Sequence, residues 1–182
     1  AKHYLPTFKQ PEVRMMLSAF AAMEAVHQEA YSLLLETLGF RDDEYQKFFE
    51  HKEMLDKHEY LGNFGMETPM DIAKTLAIYS GFTEGVQLFS SFAILLNFPR
   101  HNLMKGMGQI VTWSVRDETL HVEGMSHLFR AFVKENPDIW NDDLKYEIYC
   151  AAERTVELED AFIDLCFEGA EVPNLTPDEI KG

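Results

Sequence analysis

Two Glu-x-x-His pairs, Glu24/His27 and Glu118/His121, and one isolated carboxylate, Glu84, are the residues of this chain whose types suit joint chemistry. Three carboxylates and two imidazoles in a dry interior repel or desolvate one another unless cations lie between them. Oxygen-rich donors with one imidazole per metal suit iron or manganese, whereas a structural zinc favours Cys and His. The spacing alone carries little weight, since about 0.8 such pairs are expected by chance at this composition. The weight comes from the faces on which the pairs fall.

On 3.6-residue turns, Leu17, Phe20, Glu24, His27, Tyr31, Leu34 and Leu38 share one stripe, apolar at both ends and polar in its middle. Val111, Glu118, His121, Met125 and Leu128 form a second stripe of the same kind. Between Lys74 and Arg100 the 25 residues contain one charge, Glu84. Their length would suit a membrane span. Glu84, Gln87, Asn97 and the hydroxyls near the middle argue instead for a helix buried in a bundle. A carboxylate there needs a partner. Without metal, the alternative is a buried ion-pair network with Arg14 or Arg116 as counter-charge. A bundle that supplies Glu from two helices and Glu-x-x-His from two others is the di-iron carboxylate arrangement.

The elements that must position these residues are helical throughout, and no segment alternates with period two. The pattern predicts helices over Pro11 to Leu38, ending at Gly39, and over a charged, exposed stretch from 41 to 60. Thr68 and Pro69 cap and open the next helix, which is expected to run to Asn97 and break at Pro99. Two more follow, His101 to Lys134 and Asp142 to Phe167, with the Asn136-Pro137 turn between them. A last helix begins in "TPDEIKG". Long helices with short joints predict an all-α bundle, a single domain over residues 1–182.

Hydrophobic residues make up 46% and charged residues 26% of the chain, globular values that exclude a disordered one. A net charge of −15 speaks against nucleic acid or an anionic membrane as a main partner. Cys150 and Cys166 fall on one predicted helix about 24 Å apart, too far to bridge. They read as buried thiols in a reducing cytoplasm. Trp113, Trp140 and the run "MMLSAFAAM" read as packing residues; His51, His58 and His127 read as surface residues.

The chain resembles the small, radical-generating subunit of class I ribonucleotide reductase. The resemblance covers nearly the whole sequence and is most specific in "EAVHQEAYS" and in "EGVQLFSSFA" followed by "RDETLH". It implies a ferritin-like bundle with a pair of iron or manganese ions, oxo-bridged when oxidised and activated by O2. Glu24 and His27 would bind one side of the pair; Glu84, Glu118 and His121 would bind the other side or bridge. The resemblance also implies that Tyr31 carries a stable radical. Asp117 would be the acid that hydrogen-bonds a ligand histidine and relays an electron and a proton. The implied partners are a large catalytic subunit and a second copy of the chain. Rival readings are a di-metal oxygenase or ligand-binding oxidase on the same bundle, and ferritin-like iron storage.

Three features depart from the family pattern. Leu88 stands where many relatives have a phenylalanine beside the radical, and Ser114 where many have an aliphatic residue. A fourth carboxylate, expected about thirty residues before the first Glu-x-x-His, would fall ahead of residue 1. Glu12 lies about 120° around the helix from Glu24 and points away from the stripe. The chain is therefore expected to be an excerpt of a longer one, with an open, under-coordinated side to the metal site beside His27.

Overall fold

A computed structural model describes residues 4–41, 43–62, 65–169 and 172–182. Among them there is no strand. The helices are α1 (Tyr4–Thr7), α2 (Pro11–Thr37), α3 (Glu44–Lys47), α4 (Lys52–Gly62), α5 (Pro69–Ala77), α6 (Phe89–Arg100), α7 (Lys105–Glu135), α8 (Asp142–Glu168) and α9 (Pro177–Lys181). A ten-residue π-helical segment, Ile78–Gln87, joins α5 to α6.

The ends of α2 follow from its sequence. Pro11 occupies the first turn, where a missing N–H costs nothing. At the other end Gly39 adopts φ +81°, and two bonds close the helix: Gly39 N–H to Glu36 O and Phe40 N–H to Leu35 O, each 3.0 Å. This is a Schellman closure, which needs a residue tolerant of the left-handed region. Helix α5 opens on a reciprocal cap. The Asp71 amide donates to Thr68 Oγ1 (3.2 Å), and the Thr68 amide donates to Asp71 Oδ2 (2.9 Å).

Three sequence expectations about boundaries are corrected. The charged stretch is not one helix: His51 is extended (φ −96°, ψ 118°) between a 3-10 turn at Phe48–Glu50 and α4. The turn folds Phe48 back, edge-on to His58 of α4. The apolar helix from Pro69 is widened by the π segment, and α6 continues through Pro99 to Arg100. Helix α7 starts at Lys105, because Asn102 and Met104 take left-handed conformations and interrupt the chain before it. The small helix in "TPDEIKG" is α9, with its own capping box between Thr176 and Glu179.

Helix α7 is the hub, packed against α2, α5, α6 and the π segment. Two apolar clusters flank its middle. One holds Tyr4, Phe8, Leu17, Leu76, Met125 and Leu128; the other holds Phe92, Met107 and Val111, with Tyr31, Leu34 and Leu88 against them. Along α2 the first cluster precedes the second, and along α7 the order reverses. The two helices are therefore antiparallel, and their polar middles meet between two greasy ends.

Other expectations about exposure are mixed. Cys150 is exposed and Cys166 half-buried, both free, so the reading of two buried thiols holds for neither fully. Trp113 is exposed, and so is Met15 of the Met-rich run, so neither is core. Trp140 is exposed as well, although its ring lies edge-on to Phe129.

Candidate metal centre

The antiparallel register of α2 and α7 decides which side chains face each other. Each step of three or four residues up α2 is matched by the same step down α7. Oε1 of Glu24 lies 3.1 Å from Nδ1 of His121, and Nδ1 of His27 lies 3.1 Å from Oε1 of Glu118. One turn further on, the Tyr31 hydroxyl donates to Ser114 Oγ at 3.0 Å. The π segment brings Glu84 to the same place, 3.8 Å from Nδ1 of His121. A π-helical segment turns side chains through a different angle from an α-helix and is frequent at functional sites.

One potential ligand atom from each of Glu24, Glu84, Glu118 and His121 lies within 4.8 Å of the other three. His27 stands beside this group, reaching Glu118 at 3.1 Å and Glu24 at 3.7 Å. Its other nitrogen, Nε2, lies 3.2 Å from Asp117 Oδ2. The five expected ligands thus lie together, with Asp117 against His27 and Tyr31 bonded to Ser114 one turn further along α2. His27, Glu118 and His121 are buried; Glu24 is the most open, with a side chain 45% exposed.

Electrostatics show what this arrangement requires. Burial disfavours the charged form of His121, yet its hydrogen bond to Glu118 and the nearby carboxylates of Glu24 and Glu84 outweigh it and push its pKa up to about 11. Glu118 is raised to about 7, chiefly by burial and then by the carboxylates of Glu84 and Glu24. Glu84 is lowered: burial works the other way, but the neighbouring His121 and Glu118 side chains win. Without a metal, then, the cluster must hold protons where its carboxylates crowd. Arg14 and Arg116 do not relieve it. Arg14 donates to the Leu5 carbonyl, and Arg116 is exposed and, among the described residues, pairs with Asp117. Among the described residues, Glu24, Glu84 and Glu118 form ion pairs with imidazoles alone.

These residues fit a metal. Glu24 Oε1 is enclosed and makes no hydrogen bond, although it lies 3.1 Å from an imidazole nitrogen. Carboxylate and imidazole lone pairs converging on one point suit a cation. The donor set, hard oxygens with few nitrogens, suits iron or manganese better than zinc.

Two cavities adjoin the cluster. One, of about 330 Å³, is lined by Glu24, Glu84 and His121 with Tyr4, Phe20 and Tyr79. The other, of about 430 Å³, lies between Glu24 and Glu84 on one side and Lys57 and Phe162 on the other. Sequence reasoning did not single out three polar features. These are the Tyr31–Ser114 bond, the buried Gln87 amide nitrogen, which has no partner among the described residues, and the pair of half-buried Lys57 and buried Glu159. Ser114 and Tyr31 each sit one turn from a ligand on facing stripes, and that signal was available. Lys57 and Glu159 come from distant helices with no shared motif.

The fold and the cluster together define a ferritin-like helical bundle with a carboxylate–histidine centre able to hold metal. Sequence and structure comparisons narrow the class. The family described as ribonucleotide reductase, small chain, matches residues 1–182, and the chain belongs to that family. It is 49% identical over 183 residues to a protein of Invertebrate iridescent virus 6 named probable ribonucleoside-diphosphate reductase small subunit. That match covers 91% of this chain and 51% of the viral protein. It is 30% identical over 169 residues to the ribonucleoside-diphosphate reductase subunit beta of Chlamydia pneumoniae, covering 86% of this chain and 49% of that one. A class I ribonucleotide reductase candidate from Bacillus halodurans superimposes with a TM-score of 0.85 over 96% of this chain and 64% of its own. At 20% identity this is a likeness of fold. The chain spans about half the length of the curated relatives it matches.

Proposed function

We propose that this chain carries most of the metal site of a ribonucleoside-diphosphate reductase small subunit. In that reading the whole protein, with a large catalytic subunit, reduces ribonucleotides to deoxyribonucleotides. The observation that carries it is the convergence of Glu24, Glu84, Glu118 and His121 within 4.8 Å, with His27 against Glu118. Glu24 and His27 would hold one ion, Glu84 and His121 the other, with Glu118 between them. When bound, a pair of iron or manganese ions supplies the O2 activation and the oxidising power that a protein side chain lacks.

The chain's own residues have separable tasks. Asp117 fixes the ring of His27 through Nε2, leaving Nδ1 for the metal side. Tyr31, held against Phe92 and Val111 in the second apolar cluster, would store the oxidising equivalent as a phenoxyl radical. The apolar wall covers part of that ring. The equivalent would pass to the large subunit, and the small subunit would act as a homodimer in the cytoplasm. Among the described residues no helix is long and apolar enough to cross a membrane.

A second reading is a di-metal oxidase that acts on its own substrate. The cavity of about 330 Å³ against Glu24, Glu84 and His121 favours it. Metal analysis and EPR of the full-length protein, loaded with iron or manganese and exposed to O2, separate the two. The first reading expects two metals per chain and a tyrosyl doublet that Tyr31→Phe abolishes. It also expects deoxyribonucleotide formation only with the large subunit. A protein that is fully active as Tyr31→Phe would refute it.

A further inference from the structure

We infer that Ser114 is the hydrogen-bond partner that positions the Tyr31 oxygen, as acceptor while the phenol is protonated and as donor once that oxygen carries no proton. The inference rests on the reading of Tyr31 just given, and it adds a residue that the family resemblance marks only as a departure.

The geometry is specific. Tyr31 and Ser114 belong to different helices, and their oxygens are 3.0 Å apart. Ser114 is 3% exposed and Tyr31 half-buried, so the serine end of the bond is closed to water. The surroundings are apolar: Phe92 and Val111 are buried, with Leu34 and Leu88 packed against the same cluster. In such a setting a phenol O–H needs a partner, and a single hydroxyl supplies it.

Serine does here what neither an aliphatic nor an acidic side chain could do. An aliphatic side chain would leave the phenol O–H unsatisfied. A carboxylate would accept from the phenol but, when ionised, has no proton to donate to an oxygen that has lost its own. A hydroxyl carries one donor and two acceptor lone pairs and turns about a single bond. It can therefore serve the oxygen in either protonation state without backbone movement. The register of α2 and α7 sets this pair one turn beyond the His27–Glu118 pair, so the bond also fixes the phenol relative to the metal side.

The test uses the full-length protein as wild type, Ser114→Ala and Ser114→Thr. Ser114→Ala removes one buried oxygen, and Ser114→Thr keeps the hydroxyl. In the metal-free protein, infrared difference spectra against Tyr31→Phe isolate the Tyr31 C–O stretch. The band should shift in Ser114→Ala and stay near the wild-type position in Ser114→Thr. In the metal-loaded, oxygenated protein in heavy water, electron–nuclear double resonance should show an exchangeable deuteron coupled to the Tyr31 radical. That coupling should be lost in Ser114→Ala and kept in Ser114→Thr. An infrared band unmoved by Ser114→Ala overturns the inference, and so does a radical whose exchangeable deuteron survives that change. If no radical forms in any variant, the functional reading of Tyr31 fails, and the infrared band alone decides the assignment of Ser114.

Discussion

Nε2 of His27 lies 3.2 Å from Oδ2 of Asp117, while Nδ1 of the same ring lies 3.1 Å from Oε1 of Glu118. One nitrogen is thus tied to an acid on the outer side and the other is aimed at the carboxylate cluster. A carboxylate behind an imidazole fixes its tautomer and raises its basicity as a ligand. Asp117→Ala should therefore weaken metal binding about 10- to 100-fold without removing a ligand. Competition with a chelator measures this, and circular dichroism should show an unchanged helix content. Unchanged affinity would mean that His27 is not a ligand or is oriented by something else.

Protons should leave the cluster when metal enters. In the metal-free chain His121 is raised from 6.5 to about 11 and Glu118 from 4.5 to about 7. Both groups therefore stabilise the fold fully below those unfolded values. The Glu118 share is lost as pH rises through about 7, and the His121 share as it rises through about 11. Glu84, with a lowered pKa, acts in the opposite sense and loses its share as pH falls. The metal-free protein should melt at a lower temperature at pH 9 than at pH 7. Metal ligation needs neutral imidazole and ionised carboxylate, so binding at pH 7 should release protons. Calorimetry in buffers of different ionisation enthalpy detects the release, and none would contradict this picture of the cluster.

Much of this was legible beforehand, for a physical reason. Glu24, His27, Glu118 and His121 sit on stripes whose apolar neighbours had only the core to face, so periodicity alone aimed them inward. Glu84 was legible through the absence of other charge around it. The π segment was not: Ile78–Gln87 packs against α7 and α8, and apolar spacing does not distinguish π from α winding. The break at His51 had no Gly or Pro to announce it. Tyr31 and Ser114 were each visible, but their bond required the register between two helices, which no single helix encodes.

Phe20 and His121 are in ring contact, centroids 4.4 Å apart, because Gly124 leaves room for them. A Cβ on Gly124 would stand 2.6 Å from Phe20 Cζ and 3.1 Å from Met16 Sδ. Gly124→Ala should push Phe20 aside, destabilise the protein by about 1–3 kcal/mol and weaken metal binding through His121. Gly106, near the start of the same helix, meets nothing within 4 Å. Gly106→Ala should be neutral or stabilise by about 0.4–1 kcal/mol. Urea melts of the two variants make a matched pair. Equal effects would rule out a steric role for Gly124.

Lys57 and Glu159 hold α4 onto α8 at the edge of the cavity that reaches Glu84. Nζ of Lys57 is 2.7 Å from Oε2 of Glu159 and 4.1 Å from the Phe162 ring centroid, and Ser90 donates to the other carboxylate oxygen. Glu159 is 5% exposed, so its charge is tolerated because the lysine and serine meet it. Removing the lysine alone leaves a buried carboxylate without a counter-charge, at a cost of about 3–5 kcal/mol. Lys57→Met should therefore destabilise strongly, while Lys57→Met with Glu159→Leu should recover most of the loss, because two apolar groups can share that space. The single variant should also loosen α4, exposing the cavity wall and speeding amide hydrogen exchange in residues 52–62 relative to α7. Denaturant melts of the single and double variants, with exchange mass spectrometry, read both effects. A single variant as stable as wild type would show that water, not Lys57, satisfies Glu159.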